Sequence, residues 1–206
     1  MGTSRTFYER YWSCVEAPPD RDPLTESRAA LFLGALPRGL RVLELGCGNG
    51  RASKLLCSRG MKVLGLDVSH TGLKKAHSLG GAMGWVQATC DGQLPFGEET
   101  FDAVYCAEVI EHLLDPQTMV QECHRTLKPS GVLFVSTPYH GLIKDVALAG
   151  TAFDRHFNVL GEHIRFFTMR SLRKLLRNCG FRVERSWRLG RFWPFWMNMA
   201  MLARKA

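Results

Sequence analysis

From Arg41 onward, short apolar or β-branched runs at 41–45, 62–66, 84–88, 101–106 and 131–136 alternate with stretches whose apolar residues recur at helical spacing. This alternation restricts the chain more than any other feature. Strands buried on both faces need helices packed on either side, so the expected class is α/β with a mostly parallel sheet. Helices are expected at 50–59, 70–79 and 116–127, the first and third closing near Gly60 and at Pro129. In open sheets of this kind, ligands collect at the carboxyl ends of the strands, where the strand order reverses. Function should therefore rest on the residues that follow each strand.

A length of 206 residues accommodates one core, and the chain divides within it. Residues 1–40 read as a helical cap, with an aromatic group (Phe7, Tyr8, Tyr11, Trp12), prolines at 18, 19 and 23, and a helix from Thr25 to Ala35. Residues 41–136 form the alternating core. Residues 137–167 break the rhythm and hold His140, Asp154, His156, Glu162 and His163, as an insertion or lid over a site would. In 168–206, Thr168 suits the N-cap of a helix whose Leu172, Leu175 and Leu176 share a face. Strands at 181–187 and about 195–203 then close an antiparallel hairpin around Gly190 and Pro194.

Hydrophobic residues at 46% and charged residues at 22% exclude a disordered or fibrous class. No apolar run approaches the length of a membrane span, and Met1 to Arg10 lacks a signal-peptide layout. Seven cysteines without C-x-x-C spacing read as reduced thiols, which points to the cytoplasm. The net charge of +8 is concentrated late, at Arg165, Arg170, Arg173, Lys174, Arg177, Arg182, Arg185, Arg188, Arg191, Arg204 and Lys205. That is a solvated basic surface or a patch for an acidic partner. The histidines lack the short spacing of a ligand pair, so no metal is expected.

The first strand runs into Glu44-Leu45-Gly46-Cys47-Gly48-Asn49-Gly50. Glycines there let the backbone turn sharply and bring a ligand against peptide groups. The next strand ends in Asp67, placed as a carboxylate that accepts both ribose hydroxyls. A dinucleotide site would share that acid, but its fingerprint wants a third glycine or alanine where Arg51 stands. Glu44 would also repel a pyrophosphate, while suiting a ligand that carries an ammonium and a sulfonium.

With these residues, the chain resembles the class I S-adenosylmethionine-dependent methyltransferases from about Arg41 to Phe181. The loop from Glu44 to Gly50 is similar to the family's first motif and Asp67 to its ribose-binding acid. Leu94-Pro95-Phe96, Phe101-Asp102-Ala103-Val104, Glu108-Val109-Ile110-Glu111-His112-Leu113 and Leu127-Lys128-Pro129-Ser130-Gly131 follow in the family's order. The resemblance implies a Rossmann-like seven-stranded sheet, mostly parallel with an antiparallel last strand and helices on both faces. It also implies S-adenosylmethionine as cofactor, with Glu44, Gly46, Cys47, Gly48, Asp67, Val68, Asp91, Gly92 and Cys106 as its binding residues. The sequence departs from the family at Cys90, where relatives often carry the acid beside the adenine, so Asp91 or the backbone of Asp91 and Gly92 takes that role.

Methyl transfer to an oxygen or nitrogen needs an acceptor held in line and a base for its proton. Were a helical turn to start near Glu108, Glu108 and His112 would face the same way, with His112 as base and Glu108 orienting it or shaping the cofactor pocket. His140, His156 and His163 are second-line candidates, and a structural role for each is the competing reading. The acceptor is expected to be a small molecule, with O-methylation favoured. A nucleic-acid acceptor and a non-catalytic S-adenosylmethionine-binding protein are the alternatives. Phe192, Trp193, Phe195 and Trp196 among Arg188, Arg191 and Arg204 read as hairpin packing; peripheral membrane contact is the less favoured reading, and the oligomeric state is open.

Overall fold

The computed structural model describes residues 2–15, 22–151 and 164–206. Seven strands form one sheet: β1 (Arg41–Leu45), β2 (Lys62–Asp67), β3 (Gly84–Gln87), β4 (Phe101–Ala107), β5 (Leu127–Pro138), β6 (Phe181–Leu189) and β7 (Asn198–Lys205). Their order is β3-β2-β1-β4-β5-β7-β6. Strands β1 to β5 pair in parallel, while β7 runs antiparallel to both β5 and β6. This is the expected Rossmann-like sheet with its last strand reversed.

The helices are α1 (Gly2–Cys14), α2 (Pro23–Leu33), α3 (Arg51–Ser58), α4 (His70–Leu79), α5 (Pro116–Thr126), α6 (Leu142–Thr151) and α7 (Met169–Asn178). Local chemistry explains their starts. The carboxylates of Asp22 and Asp115 accept backbone N–H groups at the starts of α2 and α5, each followed by a proline in the first helical turn. Ser69 caps α4, and Thr168 forms a capping box with Ser171 at α7. Along β1 and β4, alternate residues supply opposite layers: Leu43, Leu45, Val104 and Cys106 to one, Val42, Ala103 and Tyr105 to the other. In the second layer the Tyr105 ring stacks on Phe134 with centroids 5.1 Å apart, and Phe32 of α2 meets both edge-on.

Three expectations need correction. Residues 137–167 are not irregular throughout, since α6 occupies 142–151. The fifth strand begins at Leu127 rather than 131, because Leu127 already pairs with Phe101 before a register shift. The hairpin strands run to 189 and start at 198, so the aromatic residues 192–196 lie in the turn rather than in a strand. The reversed direction of β7 brings its first residue, Asn198, opposite Pro138 at the carboxyl end of β5.

Candidate active site

The strand order reverses at β1, and the loop that follows it is built from left-handed glycines: Gly46 at φ 65°, Gly48 at φ 50° and Gly50 at φ 78°. Close approach demands glycine as well. A Cβ on Gly46 would come 2.4 Å from Val109 Cγ2, and one on Gly48 2.3 Å from Trp12 Cζ2. Asp67, at the end of β2, braces the loop: its Oδ2 accepts from the Gly48 N–H and its Oδ1 from the Ser69 N–H, both at 2.8 Å. Burial raises the Asp67 carboxyl against the pull of those hydrogen bonds. Beneath the loop, Glu44 accepts the Ser53 hydroxyl. Burial, with the charge of Asp67 adding to it, pushes Glu44 up to about 8 despite that bond.

A cavity of about 610 Å³ opens at this end of the sheet. Of the residues expected to bind the cofactor, Glu44, Gly46, Cys47, Gly48, Asp67, Val68 and Asp91 line it, as do Glu108 and His112. Two others do not. Cys106 is wholly buried in the apolar layer on the opposite side of β4 from Tyr105, and its neighbour Ala107 takes the place at the cavity. Gly92, at φ 137°, is part of the turn beyond the lining. The Asp91 carboxylate accepts from the Leu114 N–H at 2.9 Å, so it fastens the loop after β4 rather than pointing freely at a ligand.

The far end of the cavity differs from expectation in its local geometry. Glu108 sits at φ 57° and only a 3₁₀ turn, Ile110–His112, follows it, so the helical turn that would align Glu108 with His112 does not start there. The Glu108 carboxylate instead accepts from Ser136 Oγ at 3.0 Å and Asn198 Nδ2 at 2.6 Å, and pairs with Arg28 Nη1 at 3.1 Å. The carboxylate beside the imidazole is Glu111, whose Oε1 lies 3.8 Å from His112 Nε2. Glu111 is wholly buried, accepts the Thr137 hydroxyl at 3.0 Å, and is raised by burial and by the charge of Glu108. Among the described residues, its Oε1 has no hydrogen-bond partner.

Sequence reasoning missed Arg28 and Tyr105. Both line the cavity and are more than nine-tenths buried, and among the described residues Arg28 Nε and the Tyr105 hydroxyl have no hydrogen-bond partner. No motif marks either, because one lies in the middle of α2 and the other within β4. The cap proved more closely engaged than its composition indicated: Tyr8, Tyr11, Trp12 and Val15 of the N-terminal segment line the cavity. Trp12 lies against Gly48 and Gly72, Tyr8 meets the His112 ring edge-on at 6.0 Å, and the Glu9 carboxylate accepts the His70 and Thr71 N–H groups at the start of α4. His140 is buried and does not line the cavity; its Nδ1 is 3.4 Å from Asp145 and its ring lies against Phe166. His156, His163, Asp154 and Glu162 lie outside the described residues. Among the described residues, no His, Cys, Asp and Glu cluster has the makings of a metal site, and no helix is long and apolar enough to cross a membrane.

The residues present fit S-adenosylmethionine. Glu44 can meet an ammonium, Asp67 a pair of hydroxyls, and the orphaned donors of Arg28 and Tyr105 a carboxylate. Comparison with known proteins agrees. Residues 43–135 match the model of a family described as a methyltransferase domain. The ubiquinone biosynthesis O-methyltransferase of Pseudomonas aeruginosa (strain LESB58) is 38% identical over 103 residues, covering 48% of this chain and 44% of that protein. The protein of the same description from Vibrio cholerae serotype O1 is 36% identical over 103 residues, covering 48% and 42%. The match thus spans under half the length of these relatives. By fold, the chain is similar to a Burkholderia thailandensis 1,6-didemethyltoxoflavin-N1-methyltransferase (TM-score 0.71, 21% identity, 98% of this chain and 84% of that one), solved with its substrate and S-adenosylhomocysteine. A Mesorhizobium loti S-adenosylmethionine-dependent methyltransferase is also similar (TM-score 0.67, 22% identity, 87% and 99%). With the glycine loop and Asp67 set at the switch point of the same sheet, residues 43–135 match a methyltransferase domain.

Proposed function

We propose that the chain transfers the methyl group of S-adenosylmethionine to a hydroxyl of a small molecule, with His112 as the base. One observation carries this reading: a single cavity is lined by the glycine loop, Glu44 and Asp67 and also by His112, behind which the buried Glu111 carboxylate lies 3.8 Å from the imidazole. When bound, the cofactor supplies an electrophilic methyl on a sulfonium. The chain's own residues do the rest. Asp67 and the loop hold the nucleoside end, while Glu44 answers the ammonium and is drawn to its ionised form by it. Arg28, already ion-paired with Glu108, presents positive charge to the carboxylate end of the same ligand.

At the other end, the His112 imidazole takes the hydroxyl proton as the oxygen becomes nucleophilic. The resulting cation favours ionisation of Glu111, whose buried carboxyl is otherwise held up. Glu108, tied to Ser136, Asn198 and Arg28, is a positioning residue for the wall between the two ends. Tyr8 and Trp12 close the cavity with apolar surface, which excludes water from the transfer. A reducing cytoplasm is the proposed location, since all seven cysteines are free thiols and five of them are buried.

Calorimetry with S-adenosylhomocysteine, followed by a methylation screen of phenols and other hydroxylated metabolites, tests the reading. Micromolar binding and a methylated hydroxyl product are expected. A folded protein that does not bind, or that binds and methylates only nitrogen, would overturn the cofactor or the acceptor half respectively.

A further inference from the structure

The exposed apolar side chains and surplus positive charge of the C-terminal region take no part in the cavity, yet the fold collects them at one edge. In the turn between β6 and β7, Phe192 is 74% exposed and Trp193 65%. Beside it, α6 presents Leu142 at 81% and Val146 at 63%, four residues apart and so on one helix face. Tyr139 staples the two segments together. Its N–H donates to the Met197 carbonyl at 2.9 Å, and its ring meets Trp196 edge-on at 5.7 Å. Cations ring this base: the Arg188 guanidinium lies 4.8 Å from the centroid of the Trp196 ring, and Lys144 Nζ donates to the Tyr139 carbonyl at 2.7 Å.

The charge extends along the neighbouring helix. On α7, Leu172 and Leu176 are buried while Arg170, Lys174 and Arg177 are exposed, and the adjoining edge strand β6 carries Arg182 and Arg185 outward. The one carboxylate side chain between 164 and 206, Glu184, is already engaged by Arg204. Isolated exposed apolar residues are ordinary, but two adjacent elements that project aromatic and aliphatic side chains from a common base form a patch that wants a partner.

We infer that this edge is a docking surface for an anionic lipid bilayer. Phe192, Trp193, Leu142 and Val146 enter the boundary between headgroups and acyl chains, and the surrounding arginines and lysines lie over acidic headgroups. Aliphatic side chains such as Leu142 and Val146 give a nucleic acid nothing to stack on. A second copy set face to face on the same patch would oppose like charge to like. Trp196 packs against Tyr139 as sequence alone suggested, whereas Phe192 and Trp193 are too exposed for packing to be their role.

The test is sedimentation of the full chain with vesicles of phosphatidylcholine, alone or with a third phosphatidylglycerol, together with a single-stranded oligonucleotide and an analytical ultracentrifugation series without lipid. Binding to the anionic vesicles is expected, weakened about tenfold or more between 0.1 and 0.5 M salt. A Trp193 fluorescence shift to the blue should accompany it and vanish in Trp193→Phe. Phe192→Ser with Trp193→Ser, and separately Leu142→Ser with Val146→Ser, should each cut vesicle binding about tenfold or more while leaving the melting temperature and S-adenosylhomocysteine affinity unchanged. The proposal is overturned by equal binding to neutral vesicles, or by variants that keep both their fold and their vesicle binding. Salt-sensitive oligonucleotide binding without vesicle binding would make the edge a nucleic-acid surface. Dimerisation lost in Trp193→Ser, again without vesicle binding, would make it a contact between copies.

Discussion

The two ends of the cavity are held by different kinds of structure. At the cofactor end, the partners are close in sequence: Asp67 accepts from Gly48 across 19 residues, and Glu44 from Ser53 across nine. Much of the binding surface there is backbone, fixed by glycines in left-handed conformations. Around Glu108, on the wall towards the acceptor end, the side-chain contacts join distant elements, with Glu108 reaching Asn198 across 90 residues and Ser136 across 28. One end is a local motif that any sheet of this order can carry. The other exists only when β4, β5, β7 and α2 are all in place, and so it can differ between relatives while the first stays the same.

If the ends are separable in this way, removing the base should abolish turnover without touching cofactor affinity. His112→Ala is expected to slow methyl transfer by about a hundredfold to ten-thousandfold, the usual range for a lost general base, while S-adenosylhomocysteine binds as before. Single-turnover rates and calorimetry on one preparation check both halves. A fall in affinity equal to the fall in rate would mean that the imidazole belongs to the cofactor end and the division is false.

The reciprocal change is Asp67→Ala. It removes the acceptor for the ribose hydroxyls and leaves the buried N–H groups of Gly48 and Ser69 unpaired. At about 1–3 kcal/mol for each unsatisfied group, the loss is shared between stability and binding. Cofactor affinity should drop on the order of a hundredfold. Asp67→Asn, which keeps one acceptor oxygen, should recover part of it. Equal affinity in all three proteins would remove Asp67 from the site.

A pH experiment separates the ends more finely. Glu44 titrates near 8 in the folded protein against 4.5 for an ordinary glutamate, so the folded state holds the proton more tightly. Stability of the unliganded protein must therefore fall as pH rises from about 4.5 towards 8, with this group contributing at most about 1.4 kcal/mol per pH unit. Glu44→Gln should flatten that slope without abolishing it, because Asp67 and Glu111 are raised by burial with the same sign. Denaturant midpoints at four or five pH values suffice. A variant with the parent's slope would show that Glu44 is ionised before any ligand arrives.

The same contrast decides what could be read beforehand. Strand positions, the glycine loop and Asp67 were legible because period, glycine and spacing are local signals, and the reversed β7 followed from the family resemblance. Cys106 misled because strand alternation turns it into the apolar layer and leaves Ala107 at the cavity. The expected Glu108–His112 pairing failed because Glu108 takes a left-handed conformation, which breaks the helical phase on which the i, i+4 argument depends. Arg28 was invisible for a deeper reason. Its role is set by the Glu108 carboxylate brought to it from another element, and nothing within α2 distinguishes it from a surface arginine.

The cap offers the smallest and most selective test, because it touches both ends at once. Trp12 lies over the glycine loop, Tyr8 over His112, and between them Glu9 anchors α1 at the start of α4. Burial alone would raise the Glu9 carboxyl, but hydrogen bonds from Thr71, His70 and Ser69 outweigh it and hold the group at about 2. Glu9 is thus ionised under all ordinary conditions and acts as an N-cap delivered from a different helix. Glu9→Ala should cost about 1 kcal/mol, as the loss of a capping side chain does. Since the Glu9 carboxylate ties α1 to the start of α4, that cost should appear mainly as looser closure: a faster off-rate for cofactor, about fivefold at that energy, with little change in the unfolding midpoint. Stopped-flow release from the parent and the variant measures it. A lowered midpoint with unchanged release would mean that α1 is part of the folded core, and that both ends of the cavity are open to solvent without its help.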